Sequence, residues 1–311
     1  MTEIDVARHS LLIDPHLHIW GWEIPIYLFL GGMAAGLMVL ASLLALRPSE
    51  RSPAARWLGL AAPAVVSIGM GALLLDLALK EHVFRFYLAF RPSSPMSWGA
   101  WILAAVYPAT LLVGLAGLDE AQAEKAASLA GRVGLGGVVR ALRESGLRHR
   151  PRLLWANLSI GICLGVYTGV LLSTLGARAF WNSALLGPLF LVSGLSTGAA
   201  LMLLFPLSPA ERHLVTRWDL LAIGIEGLLL ALFLVGLATS GAEGKEAAAL
   251  VLGGRYTGVF WALVVFAGLV VPWALEAFET RMRLAATAVA PALVLLGGLA
   301  LRWILVAGGQ A

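Results

Sequence analysis

Long apolar runs alternate with short polar breaks along the whole chain. Runs of about twenty residues recur at about 22–46, 57–80, 98–118, 153–176, 181–205, 217–239, 256–276 and 286–307. A helix rises about 1.5 Å per residue, so each run is long enough to cross the roughly 30 Å hydrocarbon layer of a membrane. Lipid offers no partner to a backbone N–H or C=O, which makes a helix the spanning structure for each run. The pattern predicts an all-α integral membrane protein with eight transmembrane helices. A short link at 176–181 divides the spans four and four, giving two four-helix bundles over residues 1–178 and 179–311. The long polar segment 119–152 lies inside the first half. Its Leu135, Val138, Val139 and Leu142 are spaced as the apolar stripe of a short surface helix set among arginines.

Composition agrees: hydrophobic residues make up 59% of the chain, charged residues 13%, and the mean hydropathy is +0.86. Such values lie far from those of a soluble domain. The net charge of +4 does not indicate nucleic acid, because the basic residues fall between the apolar runs and not on one face. Alternate loops carry fourteen and eight of the Lys and Arg residues. By the positive-inside rule the richer side, with segment 119–152, is cytoplasmic and both termini face outward. The segment before Trp20 is mixed in charge and contains Asp14 and Pro15, unlike a cleavable signal peptide. The single cysteine, Cys163, leaves no internal disulfide and no iron-sulfur cluster held by this protein alone. None of the six histidines lies in the middle of a span, which argues against a haem clamped between helices, and no metal-ligand set is evident.

Ionisable groups near or within the spans are costly and so are candidates for function. The lip of the first span, HLHIWGWEIPIYLFLGGMAAG, brings His16, His18, Trp20, Trp22 and Glu23 to the outer water interface. Gly31, Gly32 and Gly36 thin one face of that helix for a close neighbour. Asp76 lies near the outer end of the second span, followed by Lys80, Glu81 and His82. If the helix continues, Asp76 and Lys80 share a face, either as a salt bridge closing the mouth or as part of a proton-handling cluster. Tyr167, flanked by Gly165 and Gly169, is expected to have open space beside its hydroxyl. Glu226 and Asp219 on the sixth span are candidates for a proton path or for pairing with a base. Arg302 either pairs with a buried acid or snorkels outward. Glu276 and Glu279, near Arg281 and Arg283, read as a solvated inner rim.

Three stretches, WGWEIPIYLFLGGMAAG, FRPSSPMSWGAWIL and GVYTGVLLS, fall in this order on the first, second-to-third and fourth spans. Together they resemble the NrfD or polysulfide reductase membrane-subunit family, essentially over the full length. The resemblance implies a haem-free anchor in a prokaryotic inner membrane that reacts with menaquinone or ubiquinone. It implies electron exchange with a ferredoxin-like iron-sulfur subunit and, through it, a molybdopterin-type catalytic subunit. By position Tyr167 matches the family's fourth-helix tyrosine, His18 or His16 the histidine at the first-helix mouth, and Asp76 and His82 the second-helix side, with Trp22 and Glu23 completing the pocket. In this reading Tyr167, His18 and Asp76 are the catalytic candidates. The PSSPMSWG turn, Pro92 to Gly99, is either a purely structural turn or, by the resemblance, the segment that shapes the pocket wall and the partner surface. The competing readings are a secondary transporter or ion-translocating protein using Asp76, Glu226 and Arg302, and a passive anchor. A passive anchor leaves the polar outer cluster without a purpose.

Overall fold

The computed structural model describes residues 20–47, 52–77, 79–88, 90–282 and 287–311. His16 and His18 lie outside the described residues. All regular structure among the described residues is helical, and eight helices have the length and composition to cross a membrane. They are α1 (Glu23–Leu46), α2 (Pro53–Asp76), α3 (Pro95–Gly117), α6 (Arg150–Ser173), α7 (Leu186–Leu203), α8 (Pro209–Thr239), α10 (Thr257–Met282) and α11 (Val289–Gln310). Shorter helices join them, the longest being α4 (Glu120–Gly131), α5 (Gly136–Arg148) and α9 (Ala242–Leu252). The protein is therefore a multi-pass membrane protein. An even number of spans returns the chain to its starting face, and Gln310 seals the return. Its amide accepts from the Trp20 N–H at 2.9 Å and donates to the Trp20 carbonyl at 3.0 Å. Below, this is the terminal face; the face carrying α4 and α5 is the loop face.

The most deeply enclosed span is α1, which packs against α2, α6, α7 and α11. Of the glycines expected to thin it, Gly32 and Gly36 do so against α7, while Gly31 faces Thr168 of α6. A Cβ on Gly36 would strike the Gly194 carbonyl, and one on Gly194 would lie 2.6 Å from the Gly32 carbonyl. Backbone-to-backbone approach of this kind maximises dispersion contact where the lipid supplies no hydrophobic drive. A second crossing, Gly268 on Gly297, joins α10 to α11, and the central part of α10, Phe260–Val270, is π-helical. Polar links reinforce the packing: buried Asn157 of α6 donates to Ser42 Oγ at 2.9 Å and to the Met38 carbonyl at 3.3 Å on α1.

Three boundaries differ from the hydropathy pattern, each for a local reason. The helix α2 stops at Asp76, with Leu77 extended (φ −67°, ψ 127°), and a separate short turn follows at Lys80–His82. Asp76 and Lys80 are therefore not successive positions on one helix face. The helix α8 begins eight residues before its apolar run, because Ser208 and Glu211 form a capping box that starts it in the polar region. Glu211 also accepts from the Ser52 N–H at 3.0 Å, tying the starts of α2 and α8 together. Finally, the connection between α6 and α7 spans 174–185, and its two large aromatics, Phe180 and Trp181, are buried in protein. Phe180 packs edge-on against Phe233, while Trp181 packs 5.3 Å from the Trp20 ring and donates to the Leu305 carbonyl at 2.7 Å. In the polar segment the expected surface helix is present as α5, preceded by α4, which has its own Asp119–Gln122 capping box.

Candidate functional site

Near the terminal face, α1, α3 and α6 bring aromatic and acidic side chains into one layer. Tyr27 is four residues into α1, Gly99 four residues into α3, and Tyr167 six residues before the end of α6. At about 1.5 Å per residue all three sit roughly 6–9 Å below the helix ends. Tyr167 is 7% exposed and its ring lies directly over Gly99, where any Cβ would meet the ring and the hydroxyl. Gly165 and Gly169 do not open space beside Tyr167. Residues two apart on a helix point to nearly opposite sides, and both glycines face α7, against Leu191 and Leu186. The glycine that makes room for the phenol is on another helix.

Buried Tyr27 lies within electrostatic reach of Tyr167 and of Tyr87, and α2 packs on it through Gly69, whose Cβ position is 3.6 Å from the Tyr27 carbonyl. Burial pushes the Tyr87 hydroxyl above the usual phenol range, helped by the field of Tyr107, so Tyr87 stays a proton donor at neutral pH. Glu23, one turn before Tyr27 on the same side of α1, is half-buried and interacts with Asp76 at the end of α2. Thus α1 joins the phenol group, Tyr27 and Tyr167, to the carboxyl group, Glu23 and Asp76. His82 stands on the connection after α2, half-buried, its ring stacked with Phe84 at 6.5 Å. Trp22 is exposed at the rim.

The turn before α3 is held by its own hydrogen bonds. Ser97 Oγ accepts from the Arg91 N–H at 3.0 Å, and the Trp98 indole donates to the Pro92 carbonyl at 2.7 Å. Phe84, Phe86, Phe90, Met96, Trp98 and Trp101 are exposed around it. Sequence reasoning missed Tyr27 and Tyr87, and read Gly99 only as the end of the Pro92–Gly99 turn. The tyrosines carried a usable signal, since both lie at span edges next to Glu23 and His82. Nothing in the sequence points from Gly99 to Tyr167.

The other helices hold a second polar group at greater depth. Arg302 is fully buried and does not snorkel: it donates to Ser193 Oγ and to the Phe190 carbonyl at 3.2 Å, with its guanidinium 4.9 Å from the Phe190 ring. Glu226 of α8 lies in its field and beside Ser193. Two turns away, Asp219 accepts from Ser196 Oγ at 2.7 Å. Glu276 is 3% exposed, so it is a core residue and not part of a solvated rim; Glu279, next to it, accepts from Thr287 at 2.8 Å.

Comparison with known proteins places this architecture. The family model described as Polysulphide reductase, NrfD matches residues 12–311. The sequence is 34% identical over 309 residues to Protein NrfD of Escherichia coli, covering 94% of this protein and 95% of that one. It is 29% identical over 270 residues to the C subunit of polysulfide reductase from Wolinella succinogenes, covering 82% and 81% of the two proteins.

Proposed function

The chain belongs to the NrfD family of polysulphide reductase membrane proteins, and from that premise we propose that it is the haem-free, quinone-reactive anchor of a respiratory oxidoreductase complex in a prokaryotic inner membrane. The observation that carries this reading is the layer formed by Tyr167 over Gly99, with Tyr27 behind it, Glu23 on the same face of α1 and Asp76 of α2 within reach of Glu23. A quinone ring needs a flat apolar slot, a donor to its carbonyl oxygens and a nearby route for protons. The residues present fit those needs: a glycine that seats the Tyr167 ring, buried phenols as donors, and carboxyls leading to the terminal face.

Tyr167 is assigned to hold a ligand carbonyl through its hydroxyl, with Tyr27 and Gly99 fixing the ring of Tyr167 in place. Glu23 and Asp76 are assigned to pass protons between that hydroxyl layer and water, with His82 and Trp22 at the mouth. A bound quinone would supply the two-electron, two-proton chemistry. With one cysteine the protein cannot itself hold a four-thiolate cluster. Electrons therefore come from or pass to a partner, taken to be a ferredoxin-like iron-sulfur subunit attached to a molybdopterin-type subunit. The relative from Wolinella succinogenes is named as one subunit of polysulfide reductase, which supports a multi-subunit assembly. The exposed aromatics around Trp98 and Trp101 are assigned as the docking surface. The helix contacts support the two-bundle grouping: α1, α2, α3 and α6 touch in a ring, as do α7, α8, α10 and α11. The arginine count supports placing the terminal face outside.

Quinol oxidation by the purified complex tests this reading. Removing one hydrogen bond to a ligand costs about 1.4 kcal/mol, so Tyr167→Phe lowers kcat/KM about tenfold in a fully assembled complex. Unchanged turnover in that variant overturns the assignment.

A further inference from the structure

The second polar group has a feature that the quinone reading does not use. Asp219 on α8 and Glu276 on α10 are both buried, and their carboxyl groups face each other within hydrogen-bonding reach. Asp219 Oδ1 is satisfied by Ser196, but Asp219 Oδ2 and both Glu276 oxygens are buried without a donor. The charged and titratable groups around the pair are few. On α8 there is Glu226, two turns away, while His213 and Arg217 on the same helix are exposed. On α10 there is Glu279, which is engaged by Thr287, and on α11 there is Arg302, whose two terminal nitrogens bond Ser193 and Phe190. The neighbouring face of α7 contributes only hydroxyls. Among the described residues, no base compensates the pair.

Two adjacent carboxylates in a low-dielectric interior cannot both be ionised without a cation between them. One proton removes the conflict, since the protonated oxygen then donates to the carboxylate opposite. We propose that Asp219 and Glu276 form a proton-sharing pair, a buried proton-binding site that exchanges with the loop face and lies apart from the Tyr167 layer. Glu276 is six residues from the end of α10, about 9 Å below that face. Glu226, beside Ser193 and Arg302, is the next acidic group inward along α8. In the elementary step hydronium on the loop face gives one proton to the carboxylate pair and leaves as water. The inference is independent of which ligand Tyr167 faces.

Infrared difference spectra of the full chain in lipid nanodiscs provide the test. The wild type retains a carboxylic-acid carbonyl stretch at neutral pH, where exposed carboxyls are ionised, and the band shifts in D2O. Asp219→Asn and Glu276→Gln each shift the band, and the double variant removes it. Tyr167→Phe leaves it in place. Absence of the band in the wild type, or its survival in the double variant, overturns the proposal. So does its loss when sodium replaces potassium at constant pH, because a bound cation then holds the pair. A second measurement needs no variant: dicyclohexylcarbodiimide adds to protonated carboxyls buried in a membrane. Mass spectrometry finds the adduct on Asp219 or Glu276 if the pair is protonated, and labelling at neither residue counts against it.

Discussion

The Tyr167 layer and the Arg302 group are both polar and both within the spans, yet they are built in opposite ways. Around Arg302 the charge is fully enclosed, its two terminal nitrogens bonded to Ser193 and the Phe190 carbonyl, with Glu226 close by. Around Tyr167 the groups are neutral phenols and half-buried carboxyls near a helix end, and the Tyr167 ring sits where Gly99 carries no side chain. A charge in the core must be matched by fixed partners and so resists change. Neutral donors at a glycine-lined edge can exchange one partner for another. The difference separates a region that holds the helices and protons in place from one suited to a transient ligand.

Substitutions sharpen that contrast, beginning with the largest effect. Arg302→Ala leaves Glu226 buried without its countercharge and costs about 3–5 kcal/mol, read as a large loss of folded protein and a lowered Tm in detergent. Gly36→Leu forces α1 away from the Gly194 carbonyl; overpacking of this kind costs about 1–3 kcal/mol, again read in Tm. Tyr167→Phe, by contrast, leaves stability within about 0.5 kcal/mol of wild type while lowering turnover about tenfold. A Tyr167→Phe variant as unstable as Arg302→Ala would erase the distinction.

The smallest effect is on the loop face, away from both regions. Arg140 donates to Glu124 at 2.6 Å across α4 and α5, and holds the Glu124 carboxyl below the usual glutamate range. A carboxyl lowered in the folded state contributes stability above its ordinary titration range and loses it as pH falls through the lowered value. Both side chains are exposed, so only a slight loss of amide protection in α4 and α5 is expected on acidification, measured by hydrogen exchange. Glu124→Gln removes that pH dependence and leaves the rest of the exchange pattern unchanged.

Which parts of this were legible in the sequence follows from what each part depends on. The eight spans were readable because lipid demands an unbroken apolar run, and the charge of the polar segment marks where it surfaces. Hydropathy could not separate apolar residues facing lipid from those buried in protein. Trp181 therefore read as the edge of the fifth span when it belongs to the connection between α6 and α7. Hydropathy also marks where lipid begins, not where a helix begins, which is why the Ser208 cap lay outside the expected sixth span. The depth of Glu276 was missed because nearby Glu279, Arg281 and Arg283 made the whole segment look solvated. Tyr167 was legible as a residue, but its partner Gly99 was not, since the contact joins positions 68 apart in sequence on helices whose rotation the sequence does not state.

The central claim is that the Tyr167 hydroxyl, positioned by the seat of its ring on Gly99, faces a ligand slot. Binding of a fluorescent hydroxyquinoline N-oxide, a quinol analogue, to the full-length protein in nanodiscs tests it most directly. A bulky side chain at Gly99 displaces the Tyr167 ring, so Gly99→Leu weakens binding at least tenfold, about 1.4 kcal/mol. Gly165→Ala, which faces α7, leaves binding of the folded protein unchanged. Equal binding by wild type and a folded Gly99→Leu variant would contradict the account.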